Sequence, residues 1–538
     1  MKPFLVKNKY FFFLILIFIA AEFIVNPIGE FPLNDDWSYS KSVLIYHNEG
    51  KYEIGDFGAM TLFTHLGWGI LFTKIFGFSF TALRFSTLIS SFIGLAILNK
   101  LVVNINSSKP LGFISGLILL FNPMYFNLTN TYMTDVNFNT LCLLSCYLAY
   151  SFFQTKHIQT LIFFFLTTIF LTLLRQFGLI APISFFIACF FIKEKKWCYV
   201  SIAAVGVLVV IFCLKSYEKN LSEILTLGSS YKFSGKINLF TESFWTNLIA
   251  NTKERFSTTL LQIVFYCFPI ALLYLPSLIK EFKISTLILA FIFNSTLAFL
   301  LFKEEPFPYK NIFSNMCLGP ETFYESSQTY ISHTYSETFK DLMKPLKFGF
   351  SFVTFFFASL TLVKLAKLKK QRLFFKPEIL FLMCLFVTYM VMIFMTESYF
   401  DRYTIPLITI SLIFLAYVNK KFEVNLWNVL APLLLLFYIS FAGTKDYFTL
   451  NKKKWEAFNY LKNEKKIESH LINAGFEVNC WNGGQKTWWT NFMGLEGYDY
   501  LIQFKSEDGF KLYKEYEFQR YFPYRKDKIN IFVRTSEK

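Results

Sequence analysis

Long apolar stretches alternate with short charged ones along most of the chain. A helix that crosses a bilayer needs ~20 largely apolar residues. Fourteen runs approach that length: 10–27, 60–76, 82–103, 111–129, 137–154, 158–174, 177–192, 197–214, 259–279, 284–302, 346–364, 377–396, 402–418 and 424–441. Beyond about residue 443 the pattern changes. A helical stretch near 452–466 rich in lysine comes first, and alternation at 475–481, 498–505 and 528–534 then predicts short strands. The fold class expected is an all-α polytopic membrane protein over 1–442, followed by a small α/β domain over 443–538.

Charge decides which runs cross. Basic clusters stand at 193–196 (KEKK), 280–283 (KEFK), 364–376 and 420–421. With the N-terminus inside and run 60–76 crossing, all of them fall outside, against the positive-inside tendency. If run 60–76 lies along the interface, all of them fall inside. That run holds His65, Lys74 and Trp68, as an interfacial helix does. The pattern therefore predicts about thirteen crossings of the plasma (inner) membrane, with a cytoplasmic N-terminus and an extracytoplasmic tail. The stretch Tyr10 to Val25, with Lys2, Lys7 and Lys9 before it, is read as an uncleaved first helix, since no A-x-A site follows. On this topology the outer face receives 28–81, the turn at 130–136, the loops 215–258 and 303–345, and the tail.

Composition agrees with the bilayer as a partner. Of the 538 residues 54% are hydrophobic and 17% charged, and Phe alone contributes 71; soluble domains carry about 25% charged residues. The net charge of +16 sits in loop clusters without an aromatic-basic platform, so nucleic acid is excluded as a partner. The nine cysteines show neither metal-ligand spacing nor a disulfide framework. Cys317 and Cys480 both fall in outer segments, where a pair between them is the alternative to the preferred reading of two unrelated thiols.

The candidate chemistry lies on that outer face. Asp35 and Asp36 follow the first helix and begin a short interfacial helix over Tyr39 to Tyr46. They fit helix capping and equally a general base whose carboxylate is partly desolvated. Asp135 stands in the turn Thr131-Tyr132-Met133-Thr134-Asp135 as a further acid. Arg84, Arg175 and Arg402 each open or end a span on the same side. Singly they snorkel to headgroups; together they form a clamp for a phosphate. Outer acids with outer arginines suit transfer of a group from a lipid-linked phosphate to a nucleophile deprotonated by Asp.

The order of these motifs resembles the glycosyltransferase-C superfamily, in particular the protein O-mannosyltransferase-like group that includes the lipid A aminoarabinose transferases. Over roughly residues 10–420, the matching features are Asn34-Asp35-Asp36-Trp37-Ser38-Tyr39, the amphipathic run ending Phe76-Gly77, Leu83-Arg84, Tyr132-Met133-Thr134-Asp135, Arg175-Gln176-Phe177-Gly178, and Asp401-Arg402-Tyr403 with Pro406. The resemblance implies a polyprenyl-phosphate-linked sugar as donor, a glycolipid, glycan or protein as acceptor, and transfer with inversion outside the membrane. It implies that Asp35 activates the acceptor beside Asp36, that Asp135 supports it, and that Arg402 and Arg84, with Arg175, meet the donor phosphate. The chain departs from the pattern where relatives carry His-Pro-Pro or Glu-Lys-Pro, having Ala59-Met60-Thr61 instead, so that element's contacts are not carried over. His65 is read as a packing residue. No cofactor is required, and a divalent ion held by the carboxylates is compatible but unsupported. Trp481, Trp488 and Trp489 fit either a small aromatic core or stacking on sugar rings. A flippase for lipid-linked glycans is the alternative function, disfavoured because the charged motifs gather at the outer edge rather than at mid-membrane.

Overall fold

The computed structural model describes most of the chain, but not residues 1–7, 55–57, 59, 225–251, 302–344, 365–374, 419–425, 484–496, 522–523 and 536–538, nor scattered positions near 253–261, 346–362 and 397–398. The greater part of the two long outer loops, Cys317, Trp488 and Trp489 thus lie outside the described residues.

Helices dominate. The first, α1 (Lys9–Val25), is followed by two short helices of the segment expected to form the first outer loop, α2 (Asp36–Glu49) and α3 (Phe63–Phe76). Then come α4 (Phe80–Asn106), α5 (Lys109–Leu120), α6 (Pro123–Thr129), α7 (Thr134–Thr155), α8 (Ile158–Leu174), α9 (Ile180–Cys189) and α10 (Lys196–Ile224). Past the first gap lie α11 (Phe268–Lys280), α12 (Ile284–Leu301), α13 (Pro377–Phe394), α14 (Ile405–Val418) and α15 (Trp427–Asn459). Among the described residues 5 helices are long and apolar enough to cross a membrane, or up to 7 if each bent pair is one span. Val205, Leu208 and Phe212 stand exposed on α10, which suits a lipid-facing side.

Two expected runs take a different form. Run 111–129 bends by 72° between α5 and α6. The cause is local: Asn122 accepts the N–H groups of Met124 and Tyr125 at 3.0 and 3.1 Å, and Pro123 opens the new helix. Run 60–76 contributes α3, whose 14 residues rise about 21 Å at ~1.5 Å each, short of a ~30 Å hydrocarbon core.

α4 begins on a built cap. Ser79 accepts the Ala82 N–H at 3.0 Å, while Glu30 accepts from the Phe80 N–H at 2.9 Å and the Thr81 hydroxyl at 2.6 Å. A carboxylate at a helix N-terminus is favoured by the exposed N–H groups and the macrodipole. This ties the first outer loop to the start of α4.

In the tail, α15 runs unbroken through residues 442 and 443 and ends in a π turn over Tyr460–Glu464. A four-stranded sheet follows in the order β1-β2-β4-β3, with β1 (Ile472–Asn473) parallel to β2 (Tyr500–Gln503). β3 (Phe510–Tyr521) and β4 (Tyr524–Arg534) form a long antiparallel hairpin that packs along α15. The expected strand at 498–505 contains β2 and the one at 528–534 falls within β4, while the one at 475–481 is corrected: Phe476–Gly483 is a helix, α16. Asn479 turns back, its amide oxygen accepting the Ala474 N–H and its NH2 donating to Asn473, so the backbone winds where alternation implied extension.

Candidate active site

The two neighbouring acids face different surroundings. Asp36, fully buried, accepts the Leu33 N–H at 2.6 Å on one oxygen and the Tyr132 N–H at 3.0 Å on the other. It thereby braces the first outer loop against the 130–134 turn. Burial pushes its carboxyl up to about 7, against the pull of Arg84 and those two N–H groups.

Asp35 does not cap α2 with its side chain. Asn34 just before it has φ 55°, a left-handed conformation that Asn tolerates better than most residues. Beyond that twist the Asp35 carboxylate lies 3.2 Å from the Arg402 guanidinium. Its side chain is 16% exposed, against 6% for Arg402 and 2% for Asp135, so Asp35 is the most reachable of the group. Burial raises its pKa, and the adjacent Arg402 partly opposes this.

Asp135 and Arg175 complete the cluster. An Arg175 nitrogen lies 2.8 Å from Asp135, and Arg175 Nε donates to the Thr134 hydroxyl at 3.0 Å. Arg402 Nε stands 3.9 Å from the other Asp135 oxygen. Arg402 lies over Phe400 at 4.5 Å and Arg175 over Phe138 at 5.6 Å, and both lie over Tyr403, at 5.9 and 5.7 Å. A short 3₁₀ turn, Asp401–Thr404, presents Arg402, whose backbone N–H donates to Asp401 at 2.8 Å. Two carboxylates and two guanidiniums are thus held almost dry. Such clusters are weak evidence for stability, because desolvation offsets their attraction; in a membrane protein they mark function by default.

Asp35, Asp135, Arg175 and Arg402 therefore converge as expected from their order in the sequence. Arg84 does not join them. It is 1% exposed and donates to the carbonyls of Pro27 at 3.0 Å, Gly29 at 2.8 Å and Phe31, with its guanidinium over the Phe31 ring. Its two terminal nitrogens donate to the loop carbonyls, while its Nε has no hydrogen-bond acceptor among the described residues. His65 packs rather than reaches outward: its ring stacks on Tyr132 at 4.2 Å, lies edge-on to Tyr39 and contacts the Asn137 amide at 2.9 Å. Burial lowers its pKa to about 3. Gly69 makes this packing possible, since a Cβ there would meet the Tyr132 ring. Trp481 lies edge-on to Phe80 at 4.9 Å.

Residues not singled out in the sequence also shape the site. Thr134 orients Arg175, Glu30 fixes the loop end, and Glu477 of α16 reaches the Asn34 N–H. Ser79 before the apolar run signals the helix start, but nothing local signals Glu30 or Glu477, whose partners lie far along the chain. Among the described residues no group of three His, Cys, Asp or Glu converges as a metal centre.

Residues 67–217 match the family model described as dolichyl-phosphate-mannose-protein mannosyltransferase, a stretch that includes Arg84, Asp135 and Arg175 but not Asp35 or Arg402. This match supports a glycosyltransferase-C-type protein, in agreement with the resemblance of the motifs. Two crystal structures of ArnT from Cupriavidus metallidurans are similar to the chain. The apo form has 10% identity and a TM-score of 0.43, over 85% of this chain and 66% of that one. The form bound to undecaprenyl phosphate has 10% identity and a TM-score of 0.49, over 98% and 99%. No curated protein matches the chain.

Proposed function

We propose that the chain is an integral membrane glycosyltransferase that moves a sugar from a polyprenyl-phosphate donor to an acceptor at the extracytoplasmic face. Asp35 is the general base and the anomeric carbon is inverted. The observation that carries this reading is the Asp35–Arg402 pair: a reachable carboxylate 3.2 Å from a buried guanidinium. Among the described residues Arg402 Nε has no hydrogen-bond acceptor, which leaves a buried donor for a phosphate oxygen.

In this mechanism the acceptor's proton passes to Asp35 as its oxygen bonds to the anomeric carbon. The bond from that carbon to the phosphate oxygen breaks on the opposite face, and its electron pair leaves with the phosphate. Arg402 stabilises the charge that develops there, and Arg175 keeps Asp135 in place as the second partner of Arg402. A flippase is less well supported: Glu22, a buried carboxyl in α1, lies within a turn of that helix's end rather than at its middle.

Asp35→Asn tests the proposal. The variant is expected to insert normally and to lose the glycan or glycolipid product; full product formation overturns the base assignment. Flipping of a labelled polyprenyl-phosphate lipid without sugar transfer by the wild type favours transport instead.

A further inference from the structure

The tail touches the acidic loop through one carboxylate. Glu477, in the first turn of α16, is 8% exposed and accepts the Asn34 N–H at 3.4 Å. The same oxygen accepts the Tyr447 hydroxyl at 3.1 Å, and the other meets the Lys454 ammonium at 3.4 Å, both partners belonging to α15. Two ring contacts fix the approach of α16. Phe476 meets Trp37 of α2 edge-on at 6.2 Å, and Trp481 meets Phe80 at the start of α4. Glu477 is therefore held by the last helix while it holds the residue before Asp35.

That residue is the twisted one. Asn34 is left-handed, and the Leu33 N–H is bound by Asp36 on the other side of it. With the N–H groups of 33 and 34 both tied to carboxylates, and the Asp36 N–H donating to the Leu33 carbonyl at 3.3 Å, the turn has little freedom left. What the turn then sets is the direction in which Asp35 leaves it. Although burial alone raises the Glu477 pKa, Lys454, Tyr447 and the backbone donors outweigh it, and the group stays charged at neutral pH. A charged acceptor makes the stronger hydrogen bond.

We propose that Glu477 is a positioning residue: the tail helix fixes the left-handed turn at Asn34 and so aims Asp35 at Arg402. This role rests on Asp35 being the base, and it gives the C-terminal segment a task in the reaction. Misplacement of a reacting group by an ångström costs as much as ~100-fold in rate, so a turn braced from two sides matters to turnover.

Hydrogen–deuterium exchange on the full chain in lipid nanodiscs reads the turn directly, through the peptide covering 31–39. Glu477→Ala is expected to speed its exchange about tenfold, the loss of one charge-assisted bond, with β2 to β4 unchanged. Glu477→Gln keeps the volume and an acceptor oxygen but not the charge, and gives a smaller rise. Affinity for undecaprenyl phosphate, the probe for the Arg402 side, stays at the wild-type value in both. Turnover of whichever undecaprenyl-phosphate-linked sugar the wild type consumes falls about 10- to 100-fold in Glu477→Ala. Wild-type exchange at 31–39 in the Ala variant overturns the proposal, as does a loss of undecaprenyl phosphate affinity equal to the loss of turnover. Should Glu477→Ala unfold the tail, the isosteric Gln variant decides by the same measurements. Full activity of Asp35→Asn alongside faster exchange in Glu477→Ala removes the base reading and leaves the brace standing.

Discussion

Both oxygens of Asp36 accept backbone N–H groups, whereas the Asp35 carboxylate faces Arg402 and keeps some access. Substitution is expected to separate the two. Asp36→Ala leaves two buried donors unsatisfied, at ~1–3 kcal/mol each, and should lower the unfolding temperature in detergent clearly. Asp35→Asn should leave that temperature near wild type while lowering transfer by about 10²- to 10⁴-fold, the usual weight of general-base catalysis. The pH profile gives an independent check. A base works only unprotonated, and burial raises the Asp35 pKa while Arg402 lowers it and Asp135 and Glu477 raise it. Activity should therefore fall as pH drops through a value above the ordinary carboxylate range. Arg402→Met removes the opposing cation and should move that acid limb to higher pH; an unmoved limb in kcat/KM assigns the ionisation to another group.

At the scale of elements, four braces act on the first outer loop: Arg84 on the carbonyls of 27–31, Glu30 on the N-terminus of α4, Asp36 on the 130–134 turn, and Glu477 on the Asn34 N–H. Arg84→Met removes the first and leaves three buried carbonyls without their donor. A cost of roughly 3–5 kcal/mol is expected, as for breaking a buried charge contact from one side, and thermal unfolding of the purified protein measures it. A shift of that size with transfer reduced in parallel marks Arg84 as a loop anchor; retained stability with lost lipid-phosphate affinity returns it to the donor site. The elements were legible in the sequence where periodicity governs them and less so where single side chains do. Continuous apolarity across 111–129 masked the Asn122-Pro123 break, although Asn-Pro at that point is a helix-start signal. Alternation of Phe476, Val478 and Cys480 read as a strand until the Asn479 contacts closed a helix. The order of the acidic and basic motifs pointed to the cluster. Their pairing was not legible, since Asp35 and Arg402 or Asn34 and Glu477 are hundreds of residues apart and meet only through helix packing.

At the scale of the whole molecule, the expected sidedness of each segment turns on whether α3 crosses. Its 14 residues are too few to cross a ~30 Å core, while Leu71, Ile75 and Phe76 stand exposed on it and Leu66, Gly69 and Ile70 are buried. A helix apolar on its outer side and packed on its inner side suits a position along the membrane surface, roofing the site rather than traversing the bilayer. Three exposed positions turn this into a test: Glu49 in the first outer loop, Lys195 in a basic connector and Lys505 in the tail. In a background without reactive native cysteines, single cysteines at 49 and 505 should react with a membrane-impermeant maleimide on intact cells, and one at 195 only after permeabilisation. If run 60–76 crosses instead, every later segment changes sides: 195 labels from outside and 505 does not. With runs 82–103 and 111–129 both crossing, that outcome would also put Asp35 and Asp135 on opposite faces, at odds with their shared partner Arg402. On the thirteen-crossing reading, the charge pattern and the ion pairs agree, and the labelling pattern expected has 49 and 505 on one side and 195 on the other.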